Sequence, residues 1–172
     1  MICIHSAGME FSLATLQLDR YAVALWLHTA NEPPKNEWNV AFDRLIAATK
    51  DVATVDMRHL VLTDGGAPST SQRARMHKDV AREQPLRLAV VTTVLSNPLK
   101  RGVATALSWA NPQIKFFQPA QARDALAHLD LSAHASVLWT CCGELQQQLP
   151  PIAVLVPVAA ALDLAPIRAT AK

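Results

Sequence analysis

The chain has 172 residues, 51% of them hydrophobic and 17% charged, with a formal net charge of +2. That length suits one domain with its own core plus a tail, and so small a charge gives no strong field for DNA or RNA, so no nucleic-acid partner is expected. The cysteines are Cys3 and the adjacent Cys141 and Cys142; they make neither a disulfide framework nor the C-x-x-C spacing of a metal site, and point to core packing in a reducing, cytoplasmic setting.

Residues 1–9 read as an N-terminal extension, without the basic start and long apolar run of a signal peptide. FSLATLQL and YAVALWLH flank Asp19-Arg20 as two strand-type runs, the pattern of a hairpin. The second run, Tyr21 to His28, is almost continuously apolar, which suits a strand buried on both faces. Pro33 and Pro34 precede a helix that Asn36 can cap, in which Trp38, Ala41, Phe42, Leu45, Ile46 and Thr49 recur at three- and four-residue spacing as one buried stripe.

HLVLTD, His59 to Asp64, is a short strand that runs into Gly65-Gly66, and Ser69 to Arg82 is a helix with a hydroxyl N-cap. LRLAVVTTV, Leu86 to Val94, is rich in β-branched residues and is expected to be a buried strand in a central sheet position. Ser96 or Asn97 then caps a helix with Pro98 in its first turn and Leu99, Val103, Ala106, Leu107 and Ala110 on one face, stopped by Asn111-Pro112. IKFFQP, Ile114 to Pro119, is a last strand, and Ala120 to Leu131 a helix with Ala122, Ala125, Leu126 and Leu129 inward.

The order β-β-α-β-α-β-α-β-α over residues 10–131 predicts an α/β domain with a single mostly parallel five-stranded sheet, right-handed crossovers and one antiparallel edge hairpin. Residues 132–172 read as a C-terminal helix and apolar tail, with Val137, Leu138, Cys141, Leu145 and Leu149 on one helix face. Its most apolar part, Ile152 to Leu164, contains Asp163, is interrupted by Pro157 and falls short of the ~20 residues of a membrane span. The tail is expected to cover an apolar surface of its own domain or of a partner, and it admits a homo-oligomer.

In a parallel sheet, ligands and partners meet the chain beyond the carboxyl ends of the strands. The candidate loop residues there are His28, Asp64, Gly65, Gly66, Thr93, Ser96 and Asn97, with Thr29, Thr63, Thr92 and Gln118 nearby. Asp64 beside two glycines suits a nucleophile or ligand approached closely by backbone, but a turn whose glycines supply positive φ is the preferred reading. A receiver domain needs an acidic pair near the first strand and a P-loop needs G-x-x-x-x-G-K-S/T; neither pattern is present. His28 could meet Asp64 or Ser96, yet no G-x-S-x-G elbow accompanies them. The other histidines lack ligand spacing such as H-E-x-x-H, so no catalytic set, metal site or cofactor is expected. Ser69, Thr70 and Ser71 are candidate phosphorylation sites, because free N–H groups and the macrodipole favour phosphate at a helix start and Arg73 and Arg75 are close by in sequence.

The element order, with the hairpin, HLVLTD leading to a hydroxyl-rich helix start and the strand LRLAVVTTV, resembles the STAS-like family of sporulation anti-sigma-factor antagonists over residues 10–131. In that family a Ser or Thr at the start of the helix after the third strand is phosphorylated by a partner kinase, which controls docking. The family's Asp-Ser-Ser-Gly-Leu is replaced here by Ala67-Pro68-Ser69-Thr70-Ser71-Gln72, which keeps the hydroxyls without the preceding Asp or the following Gly-Leu. The resemblance implies a non-enzymatic regulatory or scaffolding module that binds a protein, a regulator or kinase-like partner. The fold also resembles Sec14-type lipid carriers, though their extra helical lid sequence is absent. The alternative function, suggested by the surplus of apolar sequence after Leu131, is a small-molecule or lipid-binding domain that uses the polar crevice at the strand carboxyl ends, with the apolar C-terminal segment as a lid.

Overall fold

The computed structural model describes residues 6–7, 10–50, 56–75, 90–96 and 113–167. A six-stranded sheet runs in chain order through β1 (Ser6–Ala7), β2 (Phe11–Leu18), β3 (Tyr21–His28), β4 (Met57–Thr63), β5 (Val90–Leu95) and β6 (Ile114–Phe117). The first three strands are antiparallel and β3 to β6 are parallel. The five expected strands are therefore joined by a sixth, β1, inside the segment read as an N-terminal extension. Two residues carry no periodicity, so that edge pairing is set by its neighbour β2 and not by a pattern of its own.

The β2–β3 hairpin closes through Asp19-Arg20 with Leu18 opposite Tyr21. Asp19 takes φ 50°, the left-handed conformation that a tight hairpin turn requires and that Asp tolerates. Every residue of β3 is buried, because both faces of this strand are covered. On one face Tyr21, Val23, Leu25 and Leu27 join Leu16, Leu60, Leu62 and Val94 in a core cluster. On the other, Ala22, Ala24 and Trp26 join Phe11, Leu13 and Met57.

Helix α1 (Lys35–Thr49) covers this second face with Trp38, Ala41, Phe42 and Leu45. Burying each large side chain of that stripe contributes about 1.5–3 kcal/mol. Asn36 is not its cap: the helix begins at Lys35 and Pro34 occupies the N-cap position, so the fixed backbone of proline rather than a side chain sets the entry. Helix α2 starts at residue 70 and is described through residue 75.

The first face is covered by α3 (Ala122–His128), α4 (Ala135–Gln146) and α5 (Leu155–Leu162). Leu138, Cys141, Leu145, Leu155 and Val158 lie in the same cluster as the strand residues, so the apolar surplus after Leu131 covers the chain's own sheet. Both Cys141 and Cys142 are buried as expected, and burial, with the neighbouring Cys141, pushes the Cys142 thiol up. Pro157 does not interrupt the last helix. It sits in the first turn, where its missing N–H has no intrahelical acceptor to lose.

β5 is paired on both sides, but its position is next to the edge strand β6, and Val90, Val91 and Thr93 stay partly exposed. The predicted helix from Pro98 to Ala110, the helical residues after Arg75, the strand residues Leu86 to Ala89, Asn97, Trp109 and Cys3 lie outside the described residues. Among the described residues no helix is long and apolar enough to cross a membrane.

Candidate functional site

At the carboxyl end of the parallel strands, β4 leaves the sheet at Thr63 and the chain turns sharply. Gly65 adopts φ 118°. The Thr63 hydroxyl accepts the Gly65 N–H at 2.9 Å and donates to the Gly66 carbonyl at 2.8 Å, so one side chain ties the whole turn. Gly66 donates its N–H to the Thr29 carbonyl at 2.8 Å. A Cβ on Gly66 would stand 2.2 Å from the Asn31 carbonyl oxygen and 2.4 Å from that of Thr29, so only glycine permits this approach. The preferred reading of Asp-Gly-Gly as a turn thus has a specific cause: the loop after β4 is pressed onto the loop after β3.

The β3 loop is itself braced. Thr29 donates its hydroxyl to the Glu10 carboxylate, and Asn31 Nδ2 donates to the same oxygen at 3.0 Å. Glu10 and Asn31 escape sequence reasoning because nothing local marks a pairing across about twenty positions.

Asp64 faces the side of α5. Its Oδ1 accepts the Val154 N–H at 2.7 Å and the Ser96 hydroxyl at 3.2 Å, and its Oδ2 accepts the Ala153 N–H at 2.6 Å. The carboxylate therefore caps the start of α5, where free N–H groups gather. A signal for this exists in the sequence: Pro150-Pro151-Ile152 supplies no capping side chain before an apolar helix, so the acceptor has to come from elsewhere in the fold.

His28 does not join Asp64 or Ser96. Its carbonyl accepts the Asp64 N–H at 3.2 Å, but strand alternation turns its imidazole to the α1 face. There it lies 5.8 Å from the Phe11 ring, 6.0 Å from Trp26 and 6.0 Å from Trp38, centroid to centroid. Burial lowers its pKa from 6.5 to about 4, and its Nδ1, like Trp38 Nε1, has no hydrogen-bond partner among the described residues. His59 accepts the Trp26 indole N–H at 3.3 Å on the same face. Thr93 sits mid-strand beside Val61 and Phe116, on the α1 side, away from Asp64.

The start of α2 is a capping box. The Ser69 hydroxyl accepts the Gln72 N–H at 3.2 Å and Gln72 Oε1 accepts the Ser69 N–H at 2.6 Å. Gln72 is buried and its Nε2 reaches the Pro33 carbonyl at 2.9 Å, which anchors α2 beside the entry of α1. Thr70 and Ser71 are exposed. Arg73 donates to the Thr70 hydroxyl at 3.1 Å and to the Pro68 carbonyl at 2.5 Å. Arg75 instead pairs with Asp43 of α1. No group of three His, Cys, Asp or Glu able to hold a metal occurs among the described residues.

No protein-family model matches the sequence, and no curated relative matches it. Among solved structures, the chain is similar to a crystal structure of an uncharacterised protein of the DUF3478 family, described as having a SpoIIAA-like fold, from Shewanella loihica PV-4. The TM-score is 0.52 at 16% identity, with 73% of this chain and 98% of the other covered. The strand order, the antiparallel β2–β3 hairpin leading into the parallel strands and this similarity agree: the chain has the SpoIIAA-like fold, which is the STAS fold.

Proposed function

We propose that this protein is a non-enzymatic regulatory or scaffolding module of STAS type. It docks a protein partner through the loops at the strand carboxyl ends and the first turn of α2, and modification of Thr70 or Ser71 controls that docking. The observation that carries the reading is the division of labour at the start of α2. Ser69 is engaged in the capping box, while Thr70 and Ser71 remain exposed and Arg73 already reaches Thr70. A phosphate on either residue would gain the free N–H groups of the helix start and a guanidinium.

Two further observations support a binding role over catalysis. Both oxygens of the strand-end carboxylate Asp64 accept backbone N–H groups, and the buried His28 faces the opposite side of the sheet. The strand-end carboxylate thus serves as the cap of α5.

The test is capture of partners from the host with the wild-type chain and with a variant carrying Ser69→Asp, Thr70→Asp and Ser71→Asp, with phosphopeptide mapping of the same sample. Phosphate on Thr70 or Ser71, with a partner kept by wild type and lost by the variant, is the expected result. No phosphate and identical partners for both chains would remove the switch.

A further inference from the structure

We propose that phosphate on Ser71 draws Arg75 away from Asp43 and so cuts the charged tie between α1 and α2, whereas phosphate on Thr70 leaves that tie whole. The inference rests on the docking reading above and names which of the two exposed hydroxyls acts as its switch.

Thr70 and Ser71 are neighbours in sequence but answer to different arginines. Arg73, three residues after Thr70, donates to its hydroxyl at 3.1 Å and to the Pro68 carbonyl. Phosphate on Thr70 thus meets a guanidinium already in place. Arg75 stands four residues after Ser71, and side chains of a helix lean toward its amino end, so position i+4 lies over position i. An acid placed four residues before a base is also the favoured order on a helix. Ser71 is exposed, and its Oγ points back to the Ser69 Oγ at 3.1 Å, which leaves it open to a phosphoryl donor.

Without phosphate, Arg75 reaches across to Asp43 of α1 as an ion pair. Asp43 is exposed and Arg75 half-buried, so water screens the pair and it is a weak one. In the modification, the Ser71 Oγ–P bond forms as the bond from the γ-phosphorus of a nucleoside triphosphate to its bridging oxygen breaks; the diphosphate leaves and the hydroxyl proton goes to solvent. The product carries about −1.5 to −2 charges and three acceptor oxygens, more than the single charge of Asp43 offers, and it sits on the same helix as Arg75. It also repels Asp43. Gln72 stays bonded to the Pro33 carbonyl at 2.9 Å, so α2 keeps its anchor at the start while its flank parts from α1. The surface that changes is the flank of α1 with the exposed Val40 and Asp43.

The test builds phosphoserine into the full chain at position 71 and, in a second sample, at position 70, and follows the Arg75 Nε–H signal by NMR with Asp43 intact and with Asp43→Asn. In the unmodified chain and with phosphate at 70, Asp43→Asn should move that signal and lower Tm by about 1–3 °C. With phosphate at 71 it should do neither, and the second ionisation of that phosphate should fall below its ordinary value of ~6 and return there in Arg75→Gln. If a phosphorylated chain does not fold, Ser71→Glu and Thr70→Glu replace the two samples: the first should weaken the response of Arg75 to Asp43→Asn, and the second should leave it unchanged. An Arg75 signal that still answers to Asp43→Asn with the charge at 71, or one silenced equally by the charge at 70, would overturn the exchange. Because the phosphate is built in, either result is read independently of the host capture, whose failure removes the docking reading alone.

Discussion

Asp64 accepts the backbone N–H of Val154 at 2.7 Å across 90 positions of sequence, with Ala153 beside it at 2.6 Å. This carboxylate fastens the last helix to the carboxyl end of the central parallel strand β4. Asp64→Ala should lower stability by about 1–3 kcal/mol, since it leaves two helix-start donors without their charged acceptor. Asp64→Asn, which keeps one carbonyl oxygen, should lose less. Denaturant unfolding gives the difference, and amide exchange at Ala153 and Val154 should speed up ahead of exchange in β3.

Gly66→Ala tests the pressed loops. The new methyl meets two carbonyl oxygens at 2.2 and 2.4 Å, both of them backbone, so no side chain can swing aside. A loss of about 1–3 kcal/mol or more is expected, and Gly66→Ser should lose at least as much. A neutral Gly66→Ala in thermal unfolding would mean that the loops after β3 and β4 are not in contact.

His28 makes the fold sensitive to acid. Its folded-state pKa lies at about 4, below the 6.5 of a free imidazole, because burial penalises the charged ring. Between those two values the unfolded chain binds the proton and the folded chain does not. Stability is therefore full above about pH 6.5 and falls as the pH drops towards 4, by on the order of 3 kcal/mol for this residue. His59, lowered to about 4 by the same cause, adds in the same direction. His28→Phe keeps a ring among Phe11, Trp26 and Trp38 and should flatten the slope of stability against pH across this window. An unchanged slope would contradict a neutral buried His28.

The hydroxyl row should separate by role. Ser69→Ala removes the capping box and should cost about 1 kcal/mol, while Thr70→Ala and Ser71→Ala should change stability by less than about 0.5 kcal/mol, as exposed positions do. Thr70→Asp places a charge near the helix start and Arg73 and should be neutral to stabilising. Chemical denaturation of the four variants distinguishes a structural serine from two residues left available for modification.

Much of the architecture is legible in the residues themselves. The runs on either side of Asp19-Arg20 dictate a hairpin because their apolar periodicity switches at a turn-forming pair, and the three- and four-residue stripe from Trp38 to Thr49 dictates a helix against a sheet. The continuous apolar character of Tyr21 to His28 already implies two covered faces, since a strand exposed on one side would alternate. Ser69 announces itself as a cap by its spacing to Gln72, a relation within one turn of helix.

The site depended on relations that no local pattern encodes. That Asp64 serves α5, that Gly66 must be bare because Asn31 and Thr29 lie against it, and that His28 turns away from Asp64 all follow from which strands lie side by side and in what register. Burial of the tail against Leu25 and Leu60 likewise follows from a vacant sheet face, which the tail's own composition could not reveal. Periodicity and capping act over a few residues and can be read from sequence. The partners of a carboxylate, a glycine or an apolar tail are fixed only when distant segments are packed together, because hydrogen bonds and close contacts act over a few ångströms of space whatever the separation along the chain.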